Sequence, residues 1–497
     1  MSEHRGRRDF LKAGGFALGS ALVAGAVLRQ GTAYAAAGTP LTEPAATSPS
    51  WTPKEEKAWD QAWKNIEKLR HTIKAPHFPN RKFYITDFGA VGDGTSDNTE
   101  AFRRAIAECH RRDGGHVVVP AGVWLTGPIH LLSNVDLHLE AGSTVRFTQD
   151  VDAYKPLVLT RFEGMEFYNY SPLVYAYGQR NIAITGSGVL DGQGDNSHWW
   201  PWKGKAEYGW NKGDPKQDNA RNALMAMVEQ GVPVEERVFG DGSYMRPMFI
   251  QPYRCENVLI EGVTIKDSPM WNIHPVECTD VIVQGVTVTG LGPNNDGCNP
   301  ESSKNVLIRD CVFATGDDCI AIKAARNAEG RRLNVPSENI LIENCEFRDG
   351  HGGVTIGSEM TGGVRNVFAQ NLRMTSPELQ IAIRMKTNSL RGGFIENFNV
   401  RNVTVGEVSI SAIETNYYYE EADGYPFMPD VHDITIRDLT VQKAPYALSL
   451  RAFPNAPIRN VRLRDCTFAE VAKADVTENV DGLRLDNVLV NGRPAGS

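Results

Sequence analysis

A short pattern that keeps returning along the chain constrains its fold more than any other feature. From about residue 130, an Asn or Asp is followed by alternating apolar residues, a second Asn or Asp, and another short apolar run. The clearest copies are Asn257 to Ile265, Asn305 to Phe313, Asn339 to Phe347 and Asn460 to Phe468. Weaker copies begin at Asn134, Asn181, Asp280, Asn366, Asp433 and Gly482. Consecutive starts from Asn257 to Asn366 are 23, 25, 34 and 27 residues apart. A repeat of this length, made of strands with no helix between them, predicts a solenoid. One short strand cannot bury its apolar face alone, but stacking on the same strand of the next coil removes that face from water. A β-sandwich also uses short strands, yet it does not explain similar segments returning in the same order. The expected fold is all-β: a right-handed parallel β-helix with an N-terminal helical cap and loop insertions.

Flanking this repeat, Trp51 to Lys74 carries Trp59, Trp63, Ile66 and Leu69 at helical spacing. Residues 51–80 therefore read as a helical segment before a β-helix domain over 81–497. Thr99 to His110, with Phe102, Ile106 and Cys109 on one face, predicts a cap over the end of the stack. The largest interruption, about 192–250, holds Trp199, Trp200, Trp202 and Trp210 and a predicted helix from Asn222 to Gln230. Its tryptophans either stack on sugars or fold the insertion onto the barrel.

At the N-terminus, Arg7-Arg8-Asp-Phe-Leu-Lys12 precedes an apolar stretch, Ala13 to Leu28, and a small-residue cleavage site, Ala33-Tyr34-Ala35. This resembles a twin-arginine export signal over 1–35, followed by a flexible lead-in over 36–50. The expected location is periplasmic or secreted, with no stable membrane insertion after cleavage. A formal net charge of -8 argues against nucleic acid as a partner, and requires that any acidic polymer be recognised by a local basic pocket. Eight cysteines in 497 residues are too sparse for a disulfide scaffold. Cys311, Cys345 and Cys466 occupy equivalent repeat positions and are expected to be buried.

Polar residues concentrate in four segments: 292–297 (Gly-Pro-Asn-Asn-Asp-Gly), 315–319 (Thr-Gly-Asp-Asp-Cys), 349–353 (Asp-Gly-His-Gly-Gly) and 384–388 (Arg-Met-Lys-Thr-Asn). Asp317 and His351 each lie 12 residues into their coils, so adjacent coils place them about 4.8 Å apart per layer. Asp296 precedes Asp317 by 21 residues and Arg384 follows His351 by 33, each near one coil. The spacing thus gathers Asp296, Asp317, Asp318, His351, Arg384 and Lys386 into one column. Crowded carboxylates raise the pKa of at least one of them, which supplies a general acid while others activate water. Glycosidic hydrolysis needs that division. Arg384 and Lys386 alternate with Met385 and face one way, suited to a substrate carboxylate. The glycines beside His351 are expected to leave room for a sugar. No cofactor and no metal are assigned; calcium is the chemical rival, but no Gly-Gly-x-Gly-x-Asp series is present.

These motifs resemble glycoside hydrolase family 28, the polygalacturonases, from about Phe83 to Val490. The family's Asn-Thr-Asp is matched by Asn294-Asn295-Asp296, its Gly-Asp-Asp by Gly316-Asp317-Asp318, its Gly-His-Gly by Gly350-His351-Gly352, and its Arg-Ile-Lys by Arg384-Met385-Lys386. The resemblance implies inverting hydrolysis of α-1,4-linked galacturonic acid in pectin, an acidic plant cell-wall polysaccharide. Asp317 would be the acid, Asp296 and Asp318 would hold and deprotonate water, and His351 would maintain the acid. Asn294, Arg384 and Lys386 would bind substrate. Because Asp317 and Asp318 are adjacent, one must sit on a turn or bulge for both to face the substrate. Exo action is expected, with the insertion and a long loop over 324–337 closing the groove and Arg326, Arg331 and Arg332 gripping the terminal sugar. Rhamnogalacturonan hydrolysis, calcium-dependent pectate lysis and noncatalytic pectin binding are the alternatives.

Overall fold

Each repeat begins on a residue that must turn left. Asn134, Asn181, Asn257, Asp280, Asn305, Asn339, Asn366, Asp433, Asn460 and Gly482 all adopt positive φ, between 51° and 72°. Asn, Asp and Gly tolerate that conformation best, which explains the repeat's first letter. Stacking adds a second reason: the Asn339 amide donates to Asn305 Oδ1 at 3.1 Å, and Asn366 donates to Asn339 Oδ1 at 3.1 Å. An amide ladder therefore runs along the coil corners.

The computed structural model describes residues 51–420 and 423–495. The expected export signal and lead-in lie outside the described residues. Parallel strands stack into three faces of a right-handed β-helix. On the first face Val258, Val281, Val306, Ile340 and Val367 are in register and buried. The second face includes Thr287–Gly290, Val312–Thr315 and Glu346–Asp349. The third includes Ile320–Ile322, Val354–Ile356 and Ile381–Lys386. The turns between the second and third faces are where the polar segments fall.

Helix α1 (Pro53–Thr72) starts with a capping box, in which Glu55 N–H donates to Thr52 Oγ1 at 3.3 Å and Thr52 N–H donates to the Glu55 carboxylate at 2.9 Å. Its Trp59, Trp63 and Ile66 cover a stripe of outward-facing residues: Leu259, Ile282, Leu307, Leu341 and Phe368. Those outer positions are apolar because a helix, rather than water, lies on them. Helix α2 (Thr99–Arg111) buries Phe102, Ile106 and Cys109 against the first coils, as the expected cap. All eight cysteines are buried and unbridged. Among the described residues no helix is long and apolar enough to cross a membrane.

The insertion carries helix α3 (Asp218–Glu229), and the 324–337 segment, expected as a loop, contains a short helix, α4 (Asn327–Leu333). One element had no sequence signal. An antiparallel hairpin, Val158–Phe162 with Met165–Asn169, lies over the outside of the third face. Its Arg161, fully buried, contacts Glu277, bonds Glu301 at 3.0 Å, and lies 3.5 Å from Glu166.

Candidate active site

Coil-to-coil hydrogen bonds set the catalytic turns. The Asp317 carbonyl accepts from His351 N–H in the next coil at 3.0 Å, and the Asp318 carbonyl accepts from Gly297 N–H in the preceding coil at 2.9 Å. Asp317 and Asp318 lie between the strand ending at Thr315 and the strand starting at Ile320, outside regular strand geometry. The register also shifts at Phe313/Ala314. The expected irregularity is present, and both carboxylates line one cleft. Asn295, fully buried, donates to the carbonyls of Ser268 (2.9 Å) and Met270 (3.1 Å) and so clamps the turn that presents Asp296.

The carboxylate oxygens of Asp296, Asp317 and Asp318 come within 4.8 Å of one another. His351 Nδ1 is 3.0 Å from Asp317 Oδ1. Lys386 Nζ donates to Asp318 Oδ2 at 2.6 Å, and Arg384 lies 3.5 Å from Asp318 Oδ1. Met385, between them, points into the core. Asn294 Nδ2 reaches Asp317 Oδ2 at 3.4 Å. The column read from coil spacing is therefore assembled. Three carboxylates this close have the geometry to share a cation, but Lys386 already occupies Asp318, and Lys323 stands 3.8 Å from Asp296.

Crowding divides the protons. Burial, then the neighbouring Asp317, pushes the Asp296 carboxyl well above the usual carboxylate range. Burial acts the same way on Asp317, but His351 outweighs it and holds that carboxyl below the range. Burial opposes a charge on His351, and Asp317 more than compensates, so the imidazole pKa is raised. In the free site one proton thus rests on Asp296 and another on the Asp317–His351 pair.

Glycine at 352 serves the protein before any sugar. A Cβ there would stand 2.2 Å from Thr355 Oγ1 and 2.7 Å from Asp318 Oδ1, so the missing side chain makes room for the carboxylate. The proposed terminal-sugar arginines need correction: none of the three lines the cleft. Arg326 is buried on Glu163 (3.1 Å), Glu359 (3.4 Å) and Glu420 (3.1 Å). Arg331 bonds the Leu390 carbonyl, lies over the Phe427 ring and stands 3.6 Å from Glu229. Arg332 binds Glu166 and Glu329. Their charges are neutralised by the protein's own carboxylates. The insertion tryptophans resolve towards packing: Trp199 is buried between Tyr154 and Trp202, Trp202 meets Tyr244, and Trp200 donates to the Ser268 carbonyl. None of the four lines the cleft.

Beside the motif residues, the cleft, about 240 Å³, is lined by residues the motifs did not indicate. The insertion contributes Lys203, Lys205, Tyr208 and Arg221, and the hairpin tip contributes Glu163. The barrel adds Trp271, Lys323, Ser358, Glu359, Tyr419 and Glu420. Lys323 was within reach of coil spacing, since it and Gly357, whose carbonyl it holds at 2.9 Å, both lie 18 residues into their coils. Lys203 and Glu163 had no such signal, because neither belongs to the repeat.

Residues 240–484 match the family model described as glycosyl hydrolases family 28, and residues 83–152 match one described as rhamnogalacturonase A/epimerase, pectate lyase-like. No cleft residue falls in the second match. The chain is similar to the hyperthermoactive exopolygalacturonase of Thermotoga maritima, at 46% identity over 87% of this chain and 96% of that one, with a TM-score of 0.85. It is similar to the family 28 exopolygalacturonase of Yersinia enterocolitica at 25% identity, over 84% and 79% of the two chains, with a TM-score of 0.61. A probable polygalacturonase of Vitis vinifera is 29% identical over 78% of this chain and 74% of the relative. With the motifs in order, the carboxylates converged on one cleft, and 46% identity along nearly the whole of a solved relative, this chain belongs to glycosyl hydrolases family 28.

Proposed function

We propose that this protein is an exo-acting polygalacturonase that hydrolyses α-1,4-linked galacturonic acid and works outside the cytoplasm after twin-arginine export. The observation that carries exo action is a wall of ion pairs at the cleft. Glu163 on the hairpin tip binds Arg221 of the insertion (2.6 Å) and Arg326 (3.1 Å), and Arg326 binds Glu420 (3.1 Å). Four segments distant in sequence are thereby tied together where an open groove would otherwise continue. The likeness to two exopolygalacturonases points the same way.

In this reading Asp317 protonates the departing glycosidic oxygen. Its proton comes from the pair it forms with His351, so activity falls as pH rises through the raised pKa of His351. Asp296 and Asp318 share the attacking water, with Lys323 beside the first and Lys386 beside the second. Water must lose its proton to Asp296 in the ionised state, so the acidic limb of activity belongs to that residue, whose pKa burial raises. Inverting pairs commonly stand roughly 6.5–9.5 Å apart. Here the nearest oxygens are closer, and three groups rather than two divide the work. Lys386 and Arg384, held on Asp318, offer positive charge to the uronate at the cleavage point.

Digestion of unbranched polygalacturonate tests the reading. The expected result is a small product of constant size from the first minutes, released with inverted anomeric configuration. Mixed oligomers early in the reaction would remove exo action, retained configuration would remove the water assignment, and unsaturated products would point to a lyase. Preference for rhamnogalacturonan would replace the substrate while leaving the acid–base roles in place.

A further inference from the structure

The insertion brings to the cleft one positive charge that no carboxylate pairs. Elsewhere cations near the cleft are paired: Lys323 with Glu359 (2.9 Å), Lys386 with Asp318 (2.6 Å), Arg221 with Glu163 (2.6 Å) and Lys205 with Glu207 (3.5 Å). Among the described cations lining the cleft, Lys203 alone has no carboxylate within 4 Å, and its ammonium makes no hydrogen bond to the described residues. It closes the short helical turn Trp200–Lys203, whose tryptophans are packed, so its backbone is anchored beside the cleft.

Arg246, also from the insertion, is fully buried and meets only neutral oxygens. It donates to Gln217 Oε1 (3.0 Å), the carbonyls of Pro269 (2.9 Å) and Pro293 (2.7 Å), and Asn294 Oδ1 (2.8 Å). These bonds fix its charge beneath the turn leading to Asp296. Burial depresses both cations: Arg246 to about 10, and Lys203 below the usual ammonium range although Glu163 pulls it back. A cation withdrawn from water without a counter-ion is costly. That cost is relieved when an anion enters.

We propose that Lys203 is the receptor for a second substrate carboxylate, that of the galacturonate unit lying on the insertion side of the scissile linkage. Arg246 is the fixed positive charge behind it and acts through position rather than contact. The assignment rests on the polygalacturonase reading and deepens it: Lys386 and Arg384, occupied by Asp318, serve the cleavage point, while Lys203 recognises the charge of the neighbouring sugar. A lysine suits this role because its compact ammonium follows a carboxylate on a flexible sugar without needing a fixed fork.

Steady-state kinetics of Lys203→Met and Lys203→Arg on short galacturonate oligomers, and on the same oligomers as methyl esters, test it. Lys203→Met is expected to raise KM on the free acid by about tenfold to a hundredfold, the loss of one hydrogen bond to a charged group. Turnover should change little, the preference for acid over ester should shrink by the same factor while the share owed to Lys386 and Arg384 remains, and Lys203→Arg should recover most of the loss. An unchanged KM, or an equal loss on acid and ester, overturns the Lys203 assignment while the polygalacturonase reading stands. Failure of the unmodified enzyme to cleave any galacturonide overturns that reading and this assignment with it.

Discussion

Under the hairpin, Arg161 is enclosed by Glu166, Glu277 and Glu301, whereas in the cleft Asp296, Asp317 and Asp318 crowd within 4.8 Å of one another, with His351 on Asp317 and Lys386 on Asp318. Both clusters are withdrawn from water, and both join side chains far apart in the chain. In the first, alternating signs hold Glu166 and Glu301 ionised. Burial opposes ionisation of Glu166, but Arg161 and its neighbours bring its pKa down to about 2, and Glu301 is lowered in the same way. His274 Nε2, 2.8 Å from Glu301, continues the network inward. In the second, burial and the neighbouring Asp317 push Asp296 up, while His351 outweighs burial and holds Asp317 down. Compensated charge locks a hairpin onto a barrel; crowded charge of one sign stores a movable proton.

The largest expected effect breaks the second cluster and spares the first. Asp317→Asn cannot protonate a leaving group, so kcat should fall by about 10³- to 10⁴-fold, measured as galacturonate release, with little change in the denaturation midpoint. Near-native turnover would remove Asp317 from the acid role.

Next in size is the reverse experiment. Arg161→Met leaves three carboxylates around an apolar side chain and should cost about 3–5 kcal/mol in chemical denaturation. Because the hairpin tip supplies Glu163 to the cleft wall, KM should also rise. Wild-type stability would show that the hairpin is held by its backbone and apolar contacts, and that the contrast between the clusters has been overdrawn.

The smallest effect concerns the proton itself. The folded-state pKa of Asp296 is raised, so its contribution to stability is complete below the unfolded carboxyl pKa, about 3.9, and is lost as pH rises towards the folded value. Asp296→Asn removes that loss. The variant should melt at or above the wild-type temperature at neutral pH, with the difference vanishing near pH 3, even though its activity is gone. A variant less stable than wild type at neutral pH would mean that the Asn299 bond to Asp296, at 2.7 Å, outweighs the repulsion.

The three-faced coil and the carboxylate column were legible because both follow one period. Asn305 and Asn339 announce coil starts by a left-handed backbone few other residues tolerate, and Asp317 and His351 stack because they sit equally deep in consecutive coils. Helix α1 was legible from its tryptophans, though not that its partners would be outward residues such as Leu307 and Phe368. Arg326, Arg331 and Arg332 show where linear reading fails. Basic residues in a loop beside a groove looked like ligands for an acidic sugar, yet Glu163 claims Arg326, Glu229 claims Arg331, and Glu166 and Glu329 claim Arg332. Glu163 and Glu166 sit on a hairpin more than 150 residues away that had no pattern of its own.

The sequence by itself determined the solenoid, the order of its coils and the meeting of Asp296, Asp317, Asp318, His351 and Lys386, because strand stacking turns regular spacing in the chain into neighbourhood in space. Only the tertiary structure decided which cations are spent on the scaffold and which, like Lys203, are left facing the cleft. Ion pairing there depends on a hairpin, an insertion and a short helix that share no period, so their encounters are set by packing and not by any repeat along the chain.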